Sequence, residues 1–187
     1  MKNRLIFLLM FGLFLSPGCG SMKRESARRH ASSWESVNKL VAVIYPTQGN
    51  KCTGIVTFEE VEGGVKIVAD IGGLTPGAEH AFHVHEWGDL RKPDGMGAGT
   101  HYNPESSDHG RPEDATRHAG DFGNLVADGE GRARYERVDP RITLAGLKNP
   151  VLGRAVIVHA GKDKFTQPVG DAGGRIGMGV IGIAGPE

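Results

Sequence analysis

Cysteine is nearly missing from this chain, with two among 187 residues, at Cys19 and Cys52. Two cysteines cannot build the multi-bridge framework that staples small secreted domains. Aromatic residues make up only 6% of the chain, and apolar runs stop at the stretch Leu5 to Leu15. A run of that length is too short to cross a bilayer comfortably. Charge of one sign is absent too. The count is 22 basic against 22 acidic side chains, and nothing in it carries the basic footprint of a nucleic-acid partner. No segment shows helical periodicity of useful length, and there is no internal repeat. Glycine, in contrast, is abundant at 29 residues. It weakens helices and supplies the positive-φ positions of turns, which favours a turn-rich all-β chain over a helical bundle.

The first residues read as a targeting segment. Lys2 and Arg4 precede the apolar run, and Ser16-Pro17-Gly18-Cys19 closes it. A cysteine after a small residue there resembles the lipobox of bacterial lipoproteins, in which the cysteine is acylated. The expectation is a signal peptide over 1–18, a lipid on Cys19, and an exported, periplasmic or cell-envelope protein attached to a membrane. Residues 19–37 are polar and basic without an apolar period, and read as a flexible tether. His30 belongs to it as a solvated side chain. The remaining body, 38–187, carries 16 basic and 20 acidic residues, a charge of −4. With Cys19 lipidated, Cys52 has no partner in the chain and reads as a small buried hydrophobe.

Within the body, Leu40 to Tyr45 is a β-rich run stopped by Pro46, and Lys51 to Glu59 alternates in part. Val65, Ile67, Ala69 and Ile71 sit two apart, the pattern of a half-buried strand, after the turn signal Gly63-Gly64. Further strands are expected over Ala81 to Trp87, Phe122 to Ala127, Ala133 to Val138, Arg154 to Ala160 and Gly177 to Ala184. Eight short strands with turns between them predict a Greek-key β-sandwich or flattened barrel. Gly88 to Gly120 has no periodicity, and so long a loop in a compact domain needs something to order it. Bound metal would do so.

Six of the eight histidines suggest where. In Phe82-His83-Val84-His85-Glu86, alternation puts both imidazoles on one strand face, expected to be the outer one, with Phe82 and Val84 in the core. His159 ends a later strand that could neighbour this one. His101, His109 and His118 fall in the long loop, with Asp121 three residues past His118. Three imidazoles and a carboxylate suit tetrahedral Zn²⁺, and an imidazole-only set suits Cu²⁺.

These segments resemble the copper/zinc superoxide dismutase family. The carrying motifs are Phe82-His83-Val84-His85-Glu86, Gly99-Thr100-His101-Tyr102-Asn103-Pro104, His109-Gly110-Arg111-Pro112, Arg117-His118-Ala119-Gly120-Asp121 and Val158-His159. Gly170 to Arg175 and Gly179 to Ile183 complete the match, which runs from about Lys39 to Ala184. The resemblance implies dismutation of superoxide to O₂ and H₂O₂. Copper would be held by His83, His85, His101 and His159, and zinc by His101, His109, His118 and Asp121, with His101 shared and carrying a proton. It implies that Arg175 guides the anionic substrate, that Asp163 hydrogen-bonds one copper and one zinc histidine, that His80 is structural, and that the chain forms a homodimer. Lys162 and Lys164 are further candidates for positive charge at the substrate channel.

The chain also departs from the family. Most members tie the long loop to the last strand by a disulfide, whose positions here fall near Gly95 or Met96 and on Met178. A bridge closing roughly 80 residues is worth about 4–5 kcal/mol in the chain-entropy model. Without it, zinc is expected to carry an unusually large share of the stability. The competing reading is a non-enzymatic copper- or zinc-binding protein of the same fold. Branches that lose catalysis usually lose copper ligands or the arginine, and this chain keeps all of them. A zinc hydrolase would need an open coordination position and a general base. Four zinc ligands leave no such position, and Glu86 is expected on the wrong strand face.

Overall fold

The computed structural model describes residues 37–185; the expected signal segment, Cys19 and the expected tether up to residue 36 lie outside the described residues. Nine strands run β1 Lys39–Pro46, β2 Thr53–Val61, β3 Gly64–Gly72, β4 Glu79–His85, β5 Asp121–Val126, β6 Ala133–Asp139, β7 Ala155–His159, β8 Arg175–Val180 and β9 Gly182–Ile183. All pair antiparallel in the order β5-β4-β7-β8-β1-β2-β3-β6, with β9 beside β1, so that the sheet nearly closes into a barrel. The all-β expectation holds. Alternation explains it locally: Leu40, Ala42 and Ile44 of β1, Val56 and Phe58 of β2, and Val65, Ile67, Ala69 and Ile71 of β3 all turn inward and are buried. Phe58, Phe82 and Phe122 meet in that core, with ring centroids 5.6–6.5 Å apart.

The last expected strand, Gly177 to Ala184, is divided. Ile181 leaves the ladder: its N–H donates to Arg154 O (2.9 Å), its carbonyl accepts from Gly153 N–H (2.8 Å), and its side chain turns fully into the core. β8 therefore pairs with β7, and with β1 at Tyr45 and Pro46, while β9 meets β1 further along, at Leu40 and Val41.

Three elements place the metal-side residues. β4 and β7 are adjacent, with His83 opposite Ile157 and Phe82 opposite Val158, which brings His159 beside the His83/His85 face. The long loop then folds back onto β4. Tyr102 N–H donates to Val84 O (2.9 Å), Val84 N–H to Gly120 O (2.9 Å) and Gly120 N–H to Tyr102 O (3.0 Å), closing a ring of backbone bonds. Gly120 is required there, because a Cβ would collide with the Val84 carbonyl. The expected outer face of β4 is thus not outside. His83 and His85 are 0% and 1% exposed, because the loop covers them.

Candidate metal centre

Four donor atoms from His83, His85, His101 and His159 lie within 4.8 Å of one another, and so do four from His101, His109, His118 and Asp121; all of these side chains are buried. His101 belongs to both sets. The residues named from the sequence are therefore brought together in the two expected groups.

Hydrogen bonds on the far side of each ring fix where the lone pairs point. His85 Nδ1–H donates to Gly99 O (3.0 Å) and His159 Nδ1–H to Gly173 O (3.3 Å). Their Nε2 atoms then face each other at 3.3 Å, and with both Nδ1 atoms carrying the protons neither Nε2 can donate. His83 Nε2–H donates to Asp163 Oδ2 (2.9 Å), which leaves its buried Nδ1 without a partner. His109 Nε2–H donates to Asp163 Oδ1 (2.9 Å), and its Nδ1 sits 2.9 Å from Asp121 Oδ2 without hydrogen-bond geometry. His101 Nδ1 and His118 Nδ1 close on Asp121 Oδ1 at 3.0 and 3.1 Å. On the His83, His85 and His159 side the buried lone pairs converge with no proton between them, which is costly unless a cation sits among them. The donor chemistry fits: imidazoles alone on one side suit copper, and three imidazoles with a carboxylate on the other suit zinc.

Titration behaviour agrees. Burial, reinforced by neighbouring imidazoles, lowers His83 to about 3 and His85 well below its ordinary value; burial and His101 bring His159 to about 4. Neutral rings are what a metal needs. Burial pulls His109 down as well, but the carboxylates of Asp121 and Asp163 beside its two nitrogens win and push it up to about 9 in the metal-free chain. Asp121 and Asp163 fall well below the usual carboxylate range, because their histidine partners outweigh burial.

A cleft of about 340 Å³ opens onto the copper-side set, lined by His85, His101, His159, Met96, Thr100 and Arg175. Arg175 begins β8 and donates from Nη1 to Gly95 O and from Nη2 to Gly99 O, both 2.5 Å. The buried Thr47 hydroxyl holds the Arg175 backbone carbonyl at 2.6 Å. Two carbonyls thus fix the guanidinium plane while leaving N–H groups for an anion.

The chain matches the family described as "Copper/zinc superoxide dismutase (SODC)" over residues 52–181. It belongs to the copper/zinc superoxide dismutase family. Among similar proteins, "Superoxide dismutase [Cu-Zn] 2" of Brassica juncea is 41% identical over 156 residues, covering 80% of this chain and all of that one. "Superoxide dismutase [Cu-Zn]" of Paramecium bursaria Chlorella virus 1 is 43% identical over 157 residues, 80% of this chain and 82% of that one. A crystal structure described as the clock protein EA4 superposes with a TM-score of 0.72 at 39% identity, covering 80% of this chain and 96% of that one.

In this superoxide dismutase two residues, Lys162 and Lys164, differ from the sequence expectation, while Glu86 and His80 keep to it. Lys162 and Lys164 do not line the cleft. Lys162 Nζ pairs with Glu79 (2.7 Å) and Lys164 Nζ with Asp171 (2.6 Å), both exposed, so the cleft's cation is Arg175. Glu86 spans the start of the loop, its Oε2 accepting from Thr100 N–H at 3.1 Å. His80 accepts the Thr75 N–H (3.2 Å) and donates Nδ1–H to His159 O (2.8 Å), which removes it from metal binding and fixes the end of β7.

Two supporting residues were not singled out from the sequence. Asn124 Oδ1 accepts the Asp163 N–H (2.7 Å), and the Gln167 amide brackets His109 by accepting its N–H (3.0 Å) and donating to its carbonyl (2.8 Å). Neither has a motif. Alternation along β5 gives no signal either, because even spacing from the core residue Phe122 points Asn124 away from the metal side.

Proposed function

We propose that this copper/zinc superoxide dismutase works through His83, His85, His101 and His159 as copper ligands and His101, His109, His118 and Asp121 as zinc ligands. The observation that carries the reading is His101, whose ring belongs to both donor sets. Copper, when bound, supplies the one-electron exchange of 2 O₂⁻ + 2 H⁺ → O₂ + H₂O₂, while zinc, which has no redox chemistry, supplies a fixed positive charge.

The chain's own groups do the rest. His101 Nδ1 is directed toward Asp121 (3.0 Å), so Nε2 is the nitrogen that would hold copper and would carry a proton only when not bonded to it. Protons for the peroxide product pass through that atom. Arg175 receives superoxide by a charge-assisted hydrogen bond and orients it in the cleft. Asp163 holds the His83 and His109 rings by their outer nitrogens, linking the two sets through one carboxylate. A body charge of −4 repels superoxide at long range, so this local cation matters more than the net charge.

The test is metal analysis of the purified protein beside a superoxide-decay assay. One copper and one zinc per chain, with activity abolished in His159→Ala, is the expected outcome. Retained activity without copper would sink the reading.

Two further elements of the proposal concern context. A second copy of the chain docks on the outward face of β1, β2 and β8, where Val43, Tyr45, Ile55 and Val180 are exposed and Val43 stands opposite Ile55. Sedimentation of Tyr45→Glu against the parent tests it, a monomeric parent being the contrary result. Export and lipid attachment rest on the pattern from Lys2 to Cys19. Loss of membrane partitioning in Cys19→Ser is expected.

A further inference from the structure

Zinc-side ligands His109 and His118 flank a stretch of loop, 110–117, with no strand or helix in it. Nothing covalent ties it down among the described residues, where Cys52 is free and buried. Its backbone carbonyls, and that of His118 just beyond it, are nonetheless held by three arginine side chains. Pro112 O accepts from Arg117 Nε (2.9 Å) and from Arg137 Nη2 (2.5 Å). Ala115 O accepts from Arg141 Nη2, and Arg117 O from Arg141 Nη1 at 3.4 Å. His118 O accepts from Arg117 Nη1 at 3.0 Å.

The three arginines share one anchor, Arg117 and Arg137 through their guanidiniums and Arg141 through its backbone N–H. Asp139, the fully buried last residue of β6, accepts from Arg117 Nη2 (2.5 Å) and from the Arg141 backbone N–H (2.9 Å), and its Oδ2 lies 3.7 Å from Arg137 Nε. Arg137 belongs to β6 and Arg141 follows it by two residues, so both are mounted on the sheet rather than on the loop. Arg141 Nη1 also lies 3.7 Å from Glu105 Oε2, further back along the same loop.

We propose that Arg137 and Arg141 are positioning residues for zinc: they clamp the 112–117 backbone to β6, so that His109 and His118 are already presented before the ion arrives. This rests on the reading of His101, His109, His118 and Asp121 as the zinc ligands. A planar fork reaching a carbonyl from a rigid strand loses little freedom on binding, which is why arginine suits the task. Pre-organisation of this kind raises affinity without touching the ligand, because the apparent dissociation constant scales inversely with the competent fraction. Arg137 and Arg141 are not ligands, so their removal leaves the donor atoms unchanged and alters only how often they are in place.

The experiment uses the full, metal-loaded chain and the double variant Arg137→Met/Arg141→Met, which keeps the aliphatic stems. Zinc release to a colorimetric chelator is followed at neutral pH, with amide exchange over 110–120 in the metal-free protein and the visible copper absorption as internal reference. Release about 10–100-fold faster, with faster exchange confined to 110–120 and an unchanged copper band, is expected. Val56→Ala, a core truncation in β2, separates this from general loosening. Release at the parental rate in the double variant, or equal acceleration in Val56→Ala, overturns the clamp. Should the double variant not fold, the single variants Arg137→Lys and Arg141→Lys are read against the same criteria. A parent holding zinc as firmly as His118→Ala would overturn the ligand assignment instead, which keeps the two failures apart.

Discussion

Replacing Asp163 by alanine should loosen both metals at once. Its carboxylate is fully buried and accepts from His83 Nε2 at 2.9 Å and from His109 Nε2 at 2.9 and 3.1 Å, one ring from each donor set. Oδ1 also accepts the Phe165 N–H at 2.8 Å. A hydrogen bond to a charged group contributes roughly 1.5–3 kcal/mol, so the two rings together would suggest about 3–6 kcal/mol. Removal of such an outer partner typically costs 10–100-fold in metal affinity, about 1.4–2.7 kcal/mol per site, because water or a tilted ring replaces part of the loss. The lower figure governs here, since alanine leaves room for water beside both Nε2 atoms. Competition titrations of copper and of zinc on Asp163→Ala should therefore both weaken by one to two orders of magnitude. A variant in which only one metal weakens, or neither, would refute the idea that one carboxylate braces both sites.

Three other expectations follow from the same geometry. Arg175→Gln should lower kcat/KM for superoxide about 10–100-fold, the worth of one charge-assisted bond, while copper and zinc contents stay at parental levels. Zinc at 1,000 times its dissociation constant adds about 4 kcal/mol, which for a domain of this size raises Tm by about 8–16 °C; a calorimetric shift of only a degree or two would contradict the role given to zinc in ordering the loop. The metal-free protein should be most stable near pH 6.5–7. His109, raised from 6.5 to about 9, contributes stability that is complete below 6.5 and lost as pH climbs through 9. His83 and His159, lowered to about 3 and about 4, must be kept neutral, so stability also falls as pH drops below 6.5. Denaturant midpoints from pH 5 to 9 check both limbs, and metal loading should flatten the upper one.

Much of the barrel is legible in the chain because period-two alternation is clean where one sheet face is wet. Val65 to Ile71 of β3 shows this best, with Lys66 and Asp70 between the buried residues. β4 is harder. Every residue from His80 to His85 is buried, so alternation gives the correct relative facing of His83 and His85 and the wrong exposure. What covers them is a ring of backbone bonds through Val84, Tyr102 and Gly120, and backbone bonds leave no side-chain period to read. The division of the last strand at Ile181 has the same cause: a turn at 153–154 competes for its N–H and carbonyl. The donor set could be named because each histidine sits in a short motif, whereas its supports could not. Asn124, Gln167 and the Asp139 anchor act across 22 to 58 residues of sequence through single amide or carboxylate groups. Lys162 and Lys164 stand off the cleft lining for a related reason, since their pairing with Glu79 and Asp171 is a contact that only the folded chain shows.

Anomalous diffraction from crystals of the metal-loaded protein, collected at the copper and zinc absorption edges, tests the shared ring most directly. Two distinct peaks are predicted, zinc bonded to His101 Nδ1 and copper to His101 Nε2, each about 2.0–2.1 Å from its nitrogen. Two ions with the ring of residue 101 bonded to only one of them, or a single ion between the histidines, would contradict it.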